Sequence, residues 1–232
     1  VPAGGVVGLE VGDDVSREPQ VAASIRTRSG SIVAERIVTT DGSREPYPEG
    51  LALALGAPEP LEAWAFADGR LAAGRQEWIV VYNPGREWAE VEVTVRPPLD
   101  EGADPPTPFS IRVRPGRFET IAYHDDERVP VDQGHSTLVR STNGVPVVAE
   151  RVQAEPADAD DGDVSVAPGA AFADRSWLFT SAGRDPQGGA HLDHALAGAQ
   201  IAFEQRCTDL FFGRRPMTSH QRHITLIHAI AA

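Results

Sequence analysis

The chain has 232 residues and a formal net charge of −13, and all 21 of its basic residues are arginine. Such an acidic balance repels the phosphate backbone of nucleic acid and anionic lipid headgroups, which argues against both as partners. The single cysteine, Cys207, excludes an internal disulfide, no apolar run approaches a membrane span, and frequent glycine (22) and proline (19) favour turns and short strands over long helices.

In chain order, the first strong element is "LEAWAFA" (61–67), followed by "EWIVVY" (77–82), an apolar run that ends in "NPG" (83–85). Pro fixes φ and Gly admits positive φ, so this tripeptide predicts a turn. "AEVEVTV" (89–95) alternates strictly, with Ala89, Val91, Val93 and Val95 on one face and Glu90, Glu92 and Thr94 on the other. Period two with one polar face predicts a half-buried antiparallel strand, and the two segments read as a hairpin.

A Pro- and Asp-rich loop (97–108) leads to "FSIRVRPG" (109–116), which "RFETIAY" (117–123) answers across a Pro-Gly turn. "STLVRST" (136–142) and "VPVVAERV" (145–152) are split by Asn143-Gly144, a strong short-range hairpin signal. Seven short strands with turns between them predict an all-β, immunoglobulin-like antiparallel sandwich. Residues 153–165 are acidic and turn-rich, and read as a linker or long loop, with 39–50 as an earlier equivalent.

Self-similarity runs through the chain. "IVAERIV" (32–38) returns as "VVAERV" (147–152), an offset of 115 positions from Ala34 to Ala149. "PAGGVVGLEVGDD" (2–14) aligns with "RPGRFETIAYHDD" (114–126), "WAFADG" (64–69) with "WLFTSAG" (177–183), and "GAP" (56–58) with "VAP" (166–168). The landmarks keep their order. They predict the end of one repeat at 1–58, a complete repeat at 59–166, the start of a third at 167–183, and an atypical tail at 184–232, as in a piece of a longer array.

These landmarks resemble a family of tandem β-sandwich modules in bacterial surface and secreted proteins of the high-GC, actinobacterial type, many of unknown function. The resemblance rests on Trp64-Ala65-Phe66-Ala67-Asp68-Gly69, Asn83-Pro84, Val91 to Val95, Pro115-Gly116 and Val148-Ala149-Glu150-Arg151. It covers roughly residues 1–183. It implies a sandwich module in an extracellular or cell-envelope protein, with neighbouring modules and cell-wall or surface polysaccharide as partners. It brings no catalytic residues with it.

Adjacent strand residues point to opposite faces, so Glu150 and Arg151 do not pair with each other. Arg151 is expected to reach an acidic group or backbone carbonyls through its planar fork of donors, with a solvated strand end as the alternative. Trp64 is expected in the core. Trp64, Trp78, Tyr82 and Trp88 are the candidates for sugar stacking if the chain is a carbohydrate-binding accessory module of a secreted enzyme.

"DADDGD" (158–163) has the wrong spacing for a calcium loop, because Gly162 falls where a ligand belongs. Five histidines, His191, His194, His220, His223 and His228, crowd the tail near Cys207, two pairs at i, i+3 spacing. A change of composition after Gly183 reads instead as a frameshifted or unnatural end. No zincin, nucleophile-elbow, phosphate-loop or dinucleotide signature appears. The sequence therefore predicts no enzyme, no cofactor and no metal, but a spacer, stalk or adhesion module.

Overall fold

The structure, a computed structural model, describes residues 4–9, 11, 21–41, 49–72, 74–98, 104–155 and 163–171. The loop over 158–162, the aligned stretch 177–183 and the tail with its histidines and Cys207 lie outside the described residues. Ten strands follow in order: β1 (Glu35–Asp41), β2 (Glu49–Leu55), β3 (Ala63–Arg70), β4 (Gln76–Asn83), β5 (Ala89–Arg96), β6 (Phe109–Val113), β7 (Arg117–Ala122), β8 (Gly134–Ser141), β9 (Val148–Glu155) and β10 (Asp163–Pro168). One 3-10 turn, Tyr123–Asp125, sits between β7 and β8. None of the described helices is long and apolar enough to cross a membrane.

The protein is an all-β antiparallel sandwich. One sheet has the order β10-β9-β4-β7 and the other β3-β8-β5-β6, while β1 and β2 form a separate two-stranded sheet. The core lies between the two large sheets. Ala89, Val91, Val93 and Val95 of β5 are buried there with Trp64, Phe66, Ile79, Val81, Phe109, Val113, Val139, Val147 and Ala149. Each fully buried valine contributes about 1.5–3 kcal/mol relative to exposure.

All seven strands expected between 61 and 152 are present, but their connections differ from the expectation. β4 and β5, β6 and β7, and β8 and β9 each lie in opposite sheets. The turns at Asn83-Pro84-Gly85, Pro115-Gly116 and Asn143-Gly144 are therefore arches from sheet to sheet, not hairpins. A two-residue type I′ hairpin needs positive φ at both central residues. Here only Gly144 has it (φ 75°). The Asn143 side chain instead accepts from the Glu90 N–H (3.1 Å) and donates to the Trp88 carbonyl (2.8 Å), tying the arch to β5.

Two inner pairings, β4 with β7 and β5 with β8, follow the constant-type immunoglobulin pattern, whereas β6 pairs with β5 in place of β7. The outer strands depart from it too. The first strand of the sandwich, β3, pairs with the sixth, β8, and the last, β9, pairs with the second, β4. In the constant-type immunoglobulin order these two outer strands belong to the opposite sheets.

Besides β5 with β6, two further pairs of consecutive strands form hairpins, and in both the Ala-Glu-Arg tripeptide lies at the start of the first strand. β1 pairs with β2 from Glu35↔Leu55 to Asp41↔Glu49, and β9 with β10 from Glu155↔Asp163 to Glu150↔Pro168. The stretch read as a linker over 153–165 thus belongs at both ends to a hairpin. Seven residues separate the strands in each case, 42–48 and 156–162. The Gly56 N–H donates to the Ala34 carbonyl (2.8 Å) and the Gly169 N–H to the Ala149 carbonyl (3.1 Å), so the two hairpins close the same way.

The β1–β2 hairpin lies over the outer face of the β10-β9-β4-β7 sheet. Ala52 packs there with Trp78, Ala154 and Val164, flanked by Val38, Ala122, Val152 and Val166. Covering both faces of β4 explains why its sequence is a continuous apolar run rather than an alternation. The opposite face of β2 presents Leu51, Leu53 and Leu55 to solvent.

Candidate functional site

The six residues singled out from the sequence fall in three places. Trp64 is a core residue whose Nε1–H donates to the Val147 carbonyl (2.7 Å), bridging β3 to the start of β9. Trp78 is buried on the outer face, under the β1–β2 hairpin and edge-on to His124 at 4.8 Å. Neither ring offers a face to a soluble ligand. Tyr82 is half-buried opposite Phe118. Trp88, at 42% exposure, is the one aromatic among the exposed large apolar side chains of the described residues.

Glu150 and Arg151 point to opposite faces, as adjacent strand residues must. Arg151 donates through Nη1 to the Ala67 carbonyl (2.6 Å), and its guanidinium lies 6.0 Å from the Phe66 ring. The β3–β8 register shifts between Phe66 and Gly69, with Asp68 left-handed (φ 54°). That irregularity takes Ala67 out of the ladder and leaves its carbonyl for Arg151. Glu150 accepts from Arg36 Nη2 (2.7 Å). Arg36 is the arginine of the other Ala-Glu-Arg tripeptide.

Around Trp88 the surface is basic despite the acidic whole. The β4–β5 and β6–β7 arches adjoin, because the Gly116 N–H donates to the Asn83 carbonyl (2.8 Å). The buried Asn83 side chain adds bonds to the Glu87 carbonyl (2.7 Å) and the Val113 carbonyl (3.0 Å) and accepts from the Gly85 N–H (2.9 Å). These contacts bring exposed Arg86, Arg112, Arg114 and Arg117 to one end of the sandwich. The guanidinium carbons of Arg112 and Arg114 stand 4.9 and 5.3 Å from the Trp88 ring centroid, within cation–π range. Arg112 has a loose carboxylate partner in Glu90 at 3.7 Å. Arg114 has none within ion-pair distance among the described residues.

A second polar group lies inside the sandwich, without a local signal in the sequence. Glu77 and His135 are buried, with Nε2 of His135 at 3.2 Å from a Glu77 carboxylate oxygen. Gln153 Nε2 donates to the other oxygen (3.0 Å). The Tyr123 hydroxyl meets Thr137 Oγ1 at 3.0 Å, and its ring lies 5.6 Å from His135. Burial pushes the Glu77 carboxyl up, but the His135 hydrogen bond and charge, the Arg151 charge and the Gln153 bond together hold it below the ordinary carboxylate range. Burial, with the Glu77 charge behind it, pushes the Tyr123 phenol up. The cluster is enclosed by the core, with the side chains of Glu77 and His135 fully buried in it. His135 and Glu77 stand 58 positions apart, beyond any local spacing rule.

Among the described residues no three His, Cys, Asp or Glu side chains gather as a metal site. No family model matches the chain, and no curated protein does. Solved structures align with part of the chain. The crystal structure of Thermotoga maritima 1070 aligns with a TM-score of 0.42 at 19% identity, over 48% of this chain and 95% of that one. The Anabaena sensory rhodopsin transducer aligns with a TM-score of 0.34 at 23% identity, over 41% and 86% respectively. Similarity at this level carries no functional argument.

Proposed function

We propose that this chain is a non-catalytic structural module of an extracellular or cell-envelope protein, serving as a spacer, stalk or adhesion unit. The observation that supports it most is the contact between the two Ala-Glu-Arg hairpins. One hairpin lies on the outer face of the other, with a small apolar patch and the Arg36–Glu150 ion pair between them. A sequence element that recurs and binds its own recurrence is suited to stacking modules along a chain. Neighbouring modules of the same kind are then its first partners.

Protease treatment of intact cells of the source organism, followed by mass spectrometry of the released peptides, tests the location. Peptides from residues 59–155 are expected in the released fraction. Recovery of those peptides only after lysis would sink the reading. A carbohydrate-binding accessory module of a larger secreted enzyme is the second reading, and Trp88, exposed and flanked by arginines, is what favours it.

A further inference from the structure

From the surface around Trp88 we infer a binding site for an anionic polysaccharide, a polymer of sugar rings carrying carboxylate or phosphate groups. The inference rests on the reading of the chain as an adhesion module for where the ligand is met, but the surface stands on its own geometry. Three features converge there.

The first is the exposed indole. An aromatic ring in solvent gives up hydration that a flat, CH-bearing sugar face can replace, and Trp stacks on such faces while keeping its N–H wet. The other tryptophan rings within the sandwich, Trp64 and Trp78, are buried.

The second is the charge arrangement. Two guanidiniums, of Arg112 and Arg114, lie near one ring at 4.9 and 5.3 Å, and the pair has one carboxylate partner, Glu90, held by Arg112 alone at 3.7 Å. Arg114, with no carboxylate partner among the described residues, is open to a further anion beside the ring. A planar guanidinium meets a carboxylate or phosphate through two parallel N–H donors. Arg86 and Arg117 extend the basic surface along the two arches, and Glu87 stands between Arg86 and Trp88 in sequence.

The third is support. Trp88 follows an arch pinned by Asn83, and Asn143 donates to the Trp88 carbonyl at 2.8 Å. Arg112 sits opposite Glu90 within the β6 ladder, one residue before its end, and Arg114 precedes the tight Pro115-Gly116 turn. The side chains therefore rise from held backbone. A single shallow site of this kind binds weakly. A polymer of repeating anionic sugars gains through multiple engagement along its length.

The test is affinity electrophoresis of the full chain through gels containing polygalacturonate, fully methyl-esterified polygalacturonate, a poly(sugar phosphate) of the teichoic-acid type, or polyglutamate. Retardation by polygalacturonate or by the sugar phosphate is expected, weakening with salt, and which of the two retards more identifies the anion. The esterified polymer, with the same rings and no charge, and polyglutamate, with the charge and no rings, are expected to have little effect.

Trp88→Ala should lower the association constant several-fold and Arg112→Gln/Arg114→Gln at least tenfold. The melting temperature of each variant should stay close to wild type, since these side chains are exposed. Absence of retardation by both anionic glycans would overturn the inference. So would equal retardation by polyglutamate, or an unchanged constant for Trp88→Ala. The measurement is made in solution, so it is independent of where protease treatment of cells places the chain.

Discussion

The Arg36 guanidinium holds the Glu150 carboxylate at 2.7 Å, so the arginine of one Ala-Glu-Arg tripeptide grips the glutamate of the other. The pair is partly exposed, with 41% and 22% of the two side chains open to solvent. Solvent screening keeps the coupling of such a pair at about 0.2–1 kcal/mol. A double-mutant cycle with Arg36→Ala and Glu150→Ala, followed by urea denaturation, should recover a coupling in that range. The charge reversal Arg36→Glu/Glu150→Arg should restore most of the loss. Strict additivity of the two single substitutions would mean that the hairpins do not meet through this pair.

Asn83 governs a different junction. Its side chain serves two carbonyls, those of Glu87 and Val113, and one N–H, that of Gly85, from a fully buried position. Replacing it by Leu leaves all three groups without that partner, at about 1–3 kcal/mol for each one that water cannot reach. Asn83→Leu is expected to destabilise by at least about 2 kcal/mol, because the Val113 bond is wholly buried. Asn83→Asp should cost more, since a carboxylate would then face two carbonyl oxygens. Equilibrium denaturation measures both, and a loss below about half a kcal/mol for Asn83→Leu would show that the arch does not depend on this side chain.

How much of this was legible follows from what each signal encodes. Alternation along "AEVEVTV" names the buried face, and Ala89, Val91, Val93 and Val95 are all in the core. Alternation says nothing about which strand lies alongside, so β4 and β5 read as a hairpin although they belong to opposite sheets. The Asn-Gly signal failed because Asn143 spends its side chain on β5. Trp78 and Trp88 look equivalent in sequence. Burial separates them only once the β1–β2 hairpin covers one of the two. The Ala-Glu-Arg repeat was legible, but the meeting of Arg36 with Glu150 was not, because a repeat says nothing of how its copies pack. Glu77 and His135 carried no comparable signal.

Gly69 faces His135 across the β3–β8 pair. A Cβ at position 69 would lie 2.6 Å from Cδ2 and 2.8 Å from Cε1 of the imidazole, too close for either to stay in place. The backbone at Gly69 lies outside the left-handed region, so an alanine there meets only this steric conflict. The ring has little freedom to retreat, being bonded to Glu77 and set against Tyr123. Gly69→Ala is expected to cost about 1–3 kcal/mol or somewhat more, in the manner of an overpacked core. In Gly69→Ala/His135→Ala the clash is gone, so the double variant should be more stable than the sum of the single losses allows. Additive losses in thermal or urea denaturation would place the ring elsewhere.

Acid should act on the buried pair in a defined direction. Glu77 is held below the ordinary carboxylate range in the folded chain, whereas unfolding returns it to about 4.3. Between those two values the unfolded chain binds the extra proton, so stability falls as pH falls. The contribution of Glu77 is therefore present above about pH 4.3 and is lost as the pH drops through the folded value. Glu77→Gln keeps the size of the side chain and removes the titration. Its deficit relative to wild type should be largest near neutrality and should shrink steadily below about pH 4.3, while the other carboxylates cancel in the difference. Urea denaturation of both proteins from neutral to acid pH measures that difference. A deficit that stays constant across the range would show that Glu77 is not ionised against His135 in the folded state.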